Sequence, residues 1–163
     1  MATAAVVVEV AVRVASSAAA VWAEASTPAG VNAELMPLVR MTFPPGVAAL
    51  TSADVVCGGL VCRCWMLAGG VVPFDRHSLV FESIHDDPSA ASMGFVEESS
   101  SLLQRRWRHE RTVSVIDDHR CEVRDRVTVV PRLGIARPVV SRIVPLVFAH
   151  RHRRLERRWG AAG

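Results

Sequence analysis

The sequence predicts an α+β fold, and three observations carry that prediction. A β-branched strand near the N-terminus is followed at once by two short helices; a run of about six strands comes next; one long helix closes the chain. The 163 residues are half apolar, enough for one domain over 1–163 with a sizeable single core.

Val6–Val14 (VVVEVAVRV) alternates loosely and is rich in branched side chains, which is the pattern of a strand. Ser16 or Ser17 then caps SAAAVWAEA, where alanine favours helix and Val21, Trp22 and Ala25 share one face. Thr27-Pro28-Ala29-Gly30 breaks this helix, and a second one over VNAELMPL stops near Pro37. From Val39 the pattern turns to β. Strands are expected at Arg40–Phe43, Leu60–Leu67, Arg76–Ile84, Met93–Ser99, Leu102–Ile116 and Cys121–Val130. A loop over 46–59, Gly69-Gly70 with Pro73-Phe74-Asp75, His85-Asp86-Asp87-Pro88 and a hairpin link at Asp117-Asp118-His119 separate them. Pro138 opens the final helix, which runs to Trp159 with a kink expected at Pro145 and Gly160 as its stop.

Composition narrows the functional classes. No stretch of about 18 uncharged apolar residues is present, so no membrane-spanning helix is expected. The apolar start MATAAVVVEVAVRV lacks a basic leader and is interrupted by Glu9 and Arg13, which predicts a cytoplasmic protein rather than a signal peptide. Cys57, Cys62, Cys64 and Cys121 are expected as reduced thiols. Cys62 and Cys64 share one strand face, but no further C-x-x-C or spaced histidine pair completes a zinc set; neither metal nor other cofactor is expected. All 19 basic residues are arginine. Residues 137–158 hold seven of them against one acid, +6 in a chain of +3, so the rest carries −3. The body is mildly acidic and carries one basic element.

That element ends in FAHRHRRLERRW, residues 148–159. Helical residues two apart diverge by about 200°, so His150 and His152 do not share a metal ion. Val140, Val144, Phe148, Leu155 and Trp159 form an apolar stripe, and His152 falls on it by steps of four and three. His152 is therefore expected to face the sheet, with His150 and most arginines outward or flanking. A basic helix without stacking platforms or a recognised motif does not predict nucleic-acid binding. A weak contact between this basic patch and an anionic membrane surface remains open.

Strand alternation locates the candidate chemistry. Val113 and Val115 share a face with Trp107, His109 and Arg111; Val123, Val127 and Val129 share one with Asp125. If the valines point inward, those polar groups do too. Glu97, on a face with Phe95 and Ser99, joins them, or Glu98 does in the other register. Inward polar groups must pair with one another or line a wet cavity. Two readings fit: an internal Arg–Asp and His–Glu network, or polar anchors in an apolar pocket. A His/acid pair can serve as general acid and base, whereas Ser99-Ser100-Ser101 lacks nucleophile-elbow spacing and reads as a turn.

Several strings resemble the SRPBCC superfamily, also called START-like or polyketide cyclase-like, in its bacterial ligand-binding branch. They are Val21-Trp22, Glu34-Leu35-Met36-Pro37, Gly69 to Asp75 (GGVVPFD), Phe95-Val96-Glu97-Glu98, Trp107 to Arg111 (WRHER) and His150 to Leu155 (HRHRRL). The resemblance spans nearly the whole chain and contains no catalytic signature. It implies a helix-grip fold: a seven-stranded antiparallel sheet wrapped around the C-terminal helix, with an apolar cavity between them. It further implies a lipid- or polyketide-like ligand, or cyclase, aromatase or dehydratase chemistry.

The expected function is thus binding of a hydrophobic or aromatic small molecule. Met36, Trp65, Phe81 and Trp107 are the expected walls; Glu97, His109, Arg111, Asp125 and His152 are the expected polar residues. Trp65 and Phe81 yield their places if Cys62, Cys64 and Met66 occupy the inner face. The alternative is an enzyme of those classes using His109 with a carboxylate, and a third reading is an interaction module with a packed interior. Exposed strand edges allow a monomer or a homodimer.

Overall fold

The computed structural model describes residues 4–51 and 54–163. Its elements are β1 (Val6–Val14), α1 (Ala18–Ala25), α2 (Pro28–Leu35), β2 (Val39–Met41), β3 (Leu60–Ala68), β4 (Val72–His85), β5 (Ser92–Ser101), β6 (Gln104–Asp117), β7 (Arg120–Pro131) and α3 (Arg137–Trp159). Residues 1–3 of the apolar start, and residues 52–53 of the expected loop, lie outside the described part.

All seven strands form one antiparallel sheet in the order β1-β7-β6-β5-β4-β3-β2. From β2 to β7 the chain is a plain meander, and β1 joins its last strand. α3 lies across one face, packed chiefly against β1, β7 and α2. This is the expected helix-grip arrangement. Its apolar core has three parts: Val12, Val14, Val21, Trp22 and Leu155 near the end of α3; Val6, Val8, Val127, Val140 and Phe148 near its start; and Leu50, Cys62, Cys64, Leu79 and Phe81 over β3 and β4.

Three local expectations are corrected. Thr27-Pro28 opens α2 as well as ending α1: the Thr27 hydroxyl accepts from Gly30 N–H at 3.0 Å, and Pro28 occupies the first turn, where its missing N–H costs nothing. Pro73-Phe74-Asp75 belongs to β4, because Gly69 and Gly70, both at positive φ, complete the reversal by themselves. Ser99-Ser100-Ser101 is the end of β5, not a turn. Its inward hydroxyls are used structurally: Ser99 accepts from Val80 N–H, and Ser101 donates to Asp75 at 2.6 Å. α3 runs through Pro145 without ending there.

β5 and β6 approach closely at Gly94. A Cβ there would stand 2.2 Å from the Arg111 carbonyl oxygen. Glycine at this one position lets the strand that carries Glu97 pair with the strand that carries His109 and Arg111.

Candidate functional site

Between the three apolar clusters lies a continuous network of eight buried ionisable side chains: Glu34, His77, Glu97, His109, Arg111, Asp125, Arg151 and His152. The alternation of β4 to β7 aims five of them from the sheet towards α3. On β4, His77 follows Asp75 and precedes Leu79 and Phe81 on the buried face. Glu97 takes that face on β5, His109 and Arg111 take it on β6, and Asp125 on β7. Glu98, the alternative to Glu97, is on the outer face with Arg106 and Arg108.

Asp125 is the hub and is fully buried. Its Oδ1 accepts from Arg111 Nε at 2.8 Å and lies 2.7 Å from His109 Nε2. Its Oδ2 accepts from Arg111 Nη2 at 2.7 Å and lies 2.8 Å from His152 Nε2. The remaining edge of the Arg111 guanidinium is bidentate to Glu34 at 2.7 and 2.8 Å. Glu34 also accepts from Arg151 Nε and Nη2, at 3.0 and 2.8 Å. In the other direction, His109 Nδ1 faces Glu97 Oε2 at 3.6 Å, and Glu97 Oε1 lies 2.6 Å from His77 Nε2. The Phe95 and Phe148 rings meet the His109 ring edge-on, at 5.1 and 5.2 Å.

Such burial is tolerable because almost every lone pair and proton finds a partner. Burial opposes charge on Glu34, yet Arg111 and Arg151 outweigh it and hold the carboxyl below its ordinary range. Burial likewise opposes charge on Asp125, and Arg111 and His109 hold that carboxyl well down. Burial is again the largest influence on Glu97, but His77 and His109 bring it down to about 2. For His77, burial disfavours the cation, and Glu97 with Asp75 more than offsets this, raising its pKa. Three carboxylates and two guanidiniums sum to one negative charge, and three imidazole rings face them.

Sequence reasoning placed His109, Arg111, Asp125, Glu97 and His152 in this interior, and the structure brings all five together. It missed Glu34, His77 and Arg151. The alternation around His77 was a usable signal; Glu34 lay inside the expected second helix, but its burial depends on how that helix packs against α3. Arg151, expected outward with its neighbours, turns inward because Glu34 waits one layer away. The other arginines of 148–159 are more committed than a free basic patch: Arg154 donates to the Ala33 carbonyl, and Arg158 pairs with Glu24.

The expected walls separate. Phe81 is buried on the inner face. Trp107 is inward and half-buried, edge-on to His77 at 6.1 Å and tilted against Phe148 at 6.2 Å. Met36 is half-buried and rests against Gly70. Trp65 is corrected: it is 44 % exposed on the outer face with Arg76 over its ring, because Cys62 and Cys64 take the inward positions of β3. Among the described residues, no three of His, Cys, Asp and Glu form a group suited to a metal ion. No helix among the described residues is long and apolar enough to cross a membrane.

A family model described as a domain of unknown function, DUF8410, matches residues 12–159. The chain belongs to the DUF8410 family. No curated protein matches this DUF8410 chain by sequence. Among solved structures, a START superfamily protein from Mycobacterium smegmatis superposes with a TM-score of 0.60 at 12 % identity, covering 94 % of this chain and 96 % of that one. Norcoclaurine synthase from Thalictrum flavum, in complex with dopamine and hydroxybenzaldehyde, gives 0.58 at 14 %, covering 96 % and 87 %. At such identities the likeness shows the fold alone: this chain folds as those two proteins do.

Proposed function

We propose that this DUF8410 chain, acting as one START-like domain, binds an apolar or aromatic small molecule between the sheet and the first half of α3. The observation that carries the reading is Trp107. It points inward beside buried Phe148 and His77, yet remains half-buried, so one edge of its ring is reachable from solvent at the border of the core. Met36 and Phe81 serve as further walls. The ionic network is the fixed floor of this space, with Glu97, His109, Arg111, Asp125 and His152 as its supports rather than direct ligands. The same fold in norcoclaurine synthase accommodates small aromatic molecules, which supports the choice of ligand class.

Native mass spectrometry of the purified protein tests this directly: a copurifying apolar molecule is expected. A panel of fatty acids and aromatic polyketides should displace it, and Trp107→Ala should weaken binding about tenfold or more. Failure of the whole panel to bind sinks the reading.

One observation favours a catalytic second reading with a changed residue. His109 offers both ring nitrogens to carboxylates and has phenyl rings against it, so it is poorly placed to exchange protons with a substrate. His77 differs. Glu97 orients its Nε2, while its Nδ1 has no hydrogen-bond partner among the described residues. A cyclase- or dehydratase-like activity would use the His77–Glu97 pair. His77→Gln would then abolish turnover and spare ligand affinity; loss of affinity with no turnover in the wild type rejects this reading.

A further inference from the structure

We propose that the end of the molecule around the start of α3 docks onto an anionic lipid bilayer. This rests on the exposed tips of the fold and is independent of the ligand reading. Three reversals lie towards that end of the sheet: β5–β6, β7–α3 and, farther out along β4, β3–β4. Hydrogen bonds tie the first two to each other and to β4, from Arg132 N–H to the Leu103 carbonyl at 2.9 Å and from Leu103 N–H to the Asp75 carboxylate at 3.1 Å.

Reversals are ordinarily built from small and polar residues. Here each presents exposed aliphatic pairs instead: Val71 and Val72, Leu102 and Leu103, Leu133 and Ile135. Ile135, at 87 % exposed, has almost no protein contact to justify it. α3 extends the surface through Val139, Ile143 and Leu146, one exposed stripe at spacings of four and three. A contiguous apolar surface of this kind marks an interaction site.

Charge selects the partner. Arg76, Arg105, Arg132, Arg137 and Arg142 surround the tips, all exposed, and among the described residues none of them pairs with a carboxylate. The one acid in these segments, Asp75, is buried and already bonded to Ser101 and to backbone N–H groups. The opposite end is acidic, with Asp86 and Asp87 after β4, and with Asp117 at the end of β6 and Asp118 after it. Aliphatic tips ringed by arginine match an interface of acyl chains beneath anionic headgroups. A symmetric pairing of two copies through this end would instead set arginines against arginines.

Flotation with vesicles of phosphatidylcholine, with and without phosphatidylglycerol, tests the proposal. Binding is expected to the anionic vesicles at low salt, to fall steeply as salt rises, and to be at least tenfold weaker on phosphatidylcholine alone. Ile135→Asp should reduce it about tenfold or more, and Leu102→Ser should weaken it separately on another tip. Arg137→Glu should cost roughly five-fold or more. Thermal melting of each variant should match the wild type, since these side chains are exposed. No binding to anionic vesicles, equal binding to both compositions, or indifference to Ile135→Asp overturns the proposal. So does a dimer in light scattering that Ile135→Asp dissolves, which would assign this face to a second copy.

Discussion

Arg111 and Asp125 are direct cross-strand partners on β6 and β7, and their side chains share two hydrogen bonds of 2.7 and 2.8 Å in the interior. The same carboxylate meets His109 and His152, so its removal takes the partner from one edge of the guanidinium and from one nitrogen of each of two imidazoles at once. Asp125→Ala should destabilise the fold by about 3–5 kcal/mol. For a chain of this size that lowers the melting temperature by roughly 6–20 °C, measurable by circular dichroism. A loss below about 1 kcal/mol would show that the network contributes little.

Stability should have a maximum in mildly acidic solution. His77 is raised in the folded state, so its contribution is complete below the ordinary histidine value of 6.5 and is lost as pH rises through its folded value. Glu34, Glu97 and Asp125 are lowered, so their contributions are complete above the ordinary carboxylate values of 4.5 and 3.8 and are lost as pH falls towards their folded ones. Denaturant midpoints should therefore peak between about pH 5 and 6.5. His77→Gln should flatten the alkaline side while leaving the acidic side in place.

Gly94→Ala should be costlier than its size suggests. The added Cβ meets a backbone carbonyl at 2.2 Å, and a main-chain atom in a paired strand cannot swing aside as a side chain would. A loss of about 1–3 kcal/mol is expected, with shifted amide resonances at Arg111 and Thr112. Resonances unchanged beyond residue 94 would contradict the close strand approach.

Thiol labelling should divide the cysteines one to three. Cys57 is exposed, whereas Cys62, Cys64 and Cys121 are buried. Burial alone raises the Cys121 thiol to about 11, and Cys64 is raised by its Cys62 neighbour and by burial. Ellman's reagent should titrate one thiol rapidly in the native protein and all four in denaturant. Rapid native reaction of a second thiol would mean the face of β3 is open.

Much of the fold and part of the site are legible in one dimension. Alternating valines on β6 and β7 assign faces, so they reveal His109, Arg111 and Asp125 without knowledge of any contact. Three- and four-residue steps do the same for His152. Glu34 and Arg151 escape such reasoning because their meeting depends on how α2 stacks against α3, across 117 positions of sequence. A strand's period reports its own two faces; it carries no information about which helix lies above. Trp65 escapes for a simpler reason, since a strand with cysteines on one face and Trp65 beside Arg63 on the other has no strong hydrophobic bias to orient it.

Arg151 and His152 are adjacent in sequence, yet one grips α2 through Glu34 and the other grips β7 through Asp125. That single helical turn is fastened in two directions about 100° apart. Rolling or sliding α3 would break both fastenings together. Farther towards its start, the helix is held by Val140, Val144 and Phe148, and Pro145 omits one rung of its backbone ladder. Any bend of α3 that spares the buried ions would therefore have to lie on the Pro145 side of Arg151, in the half of the helix that Trp107 and the apolar tips adjoin, and would have to unpack those three apolar contacts.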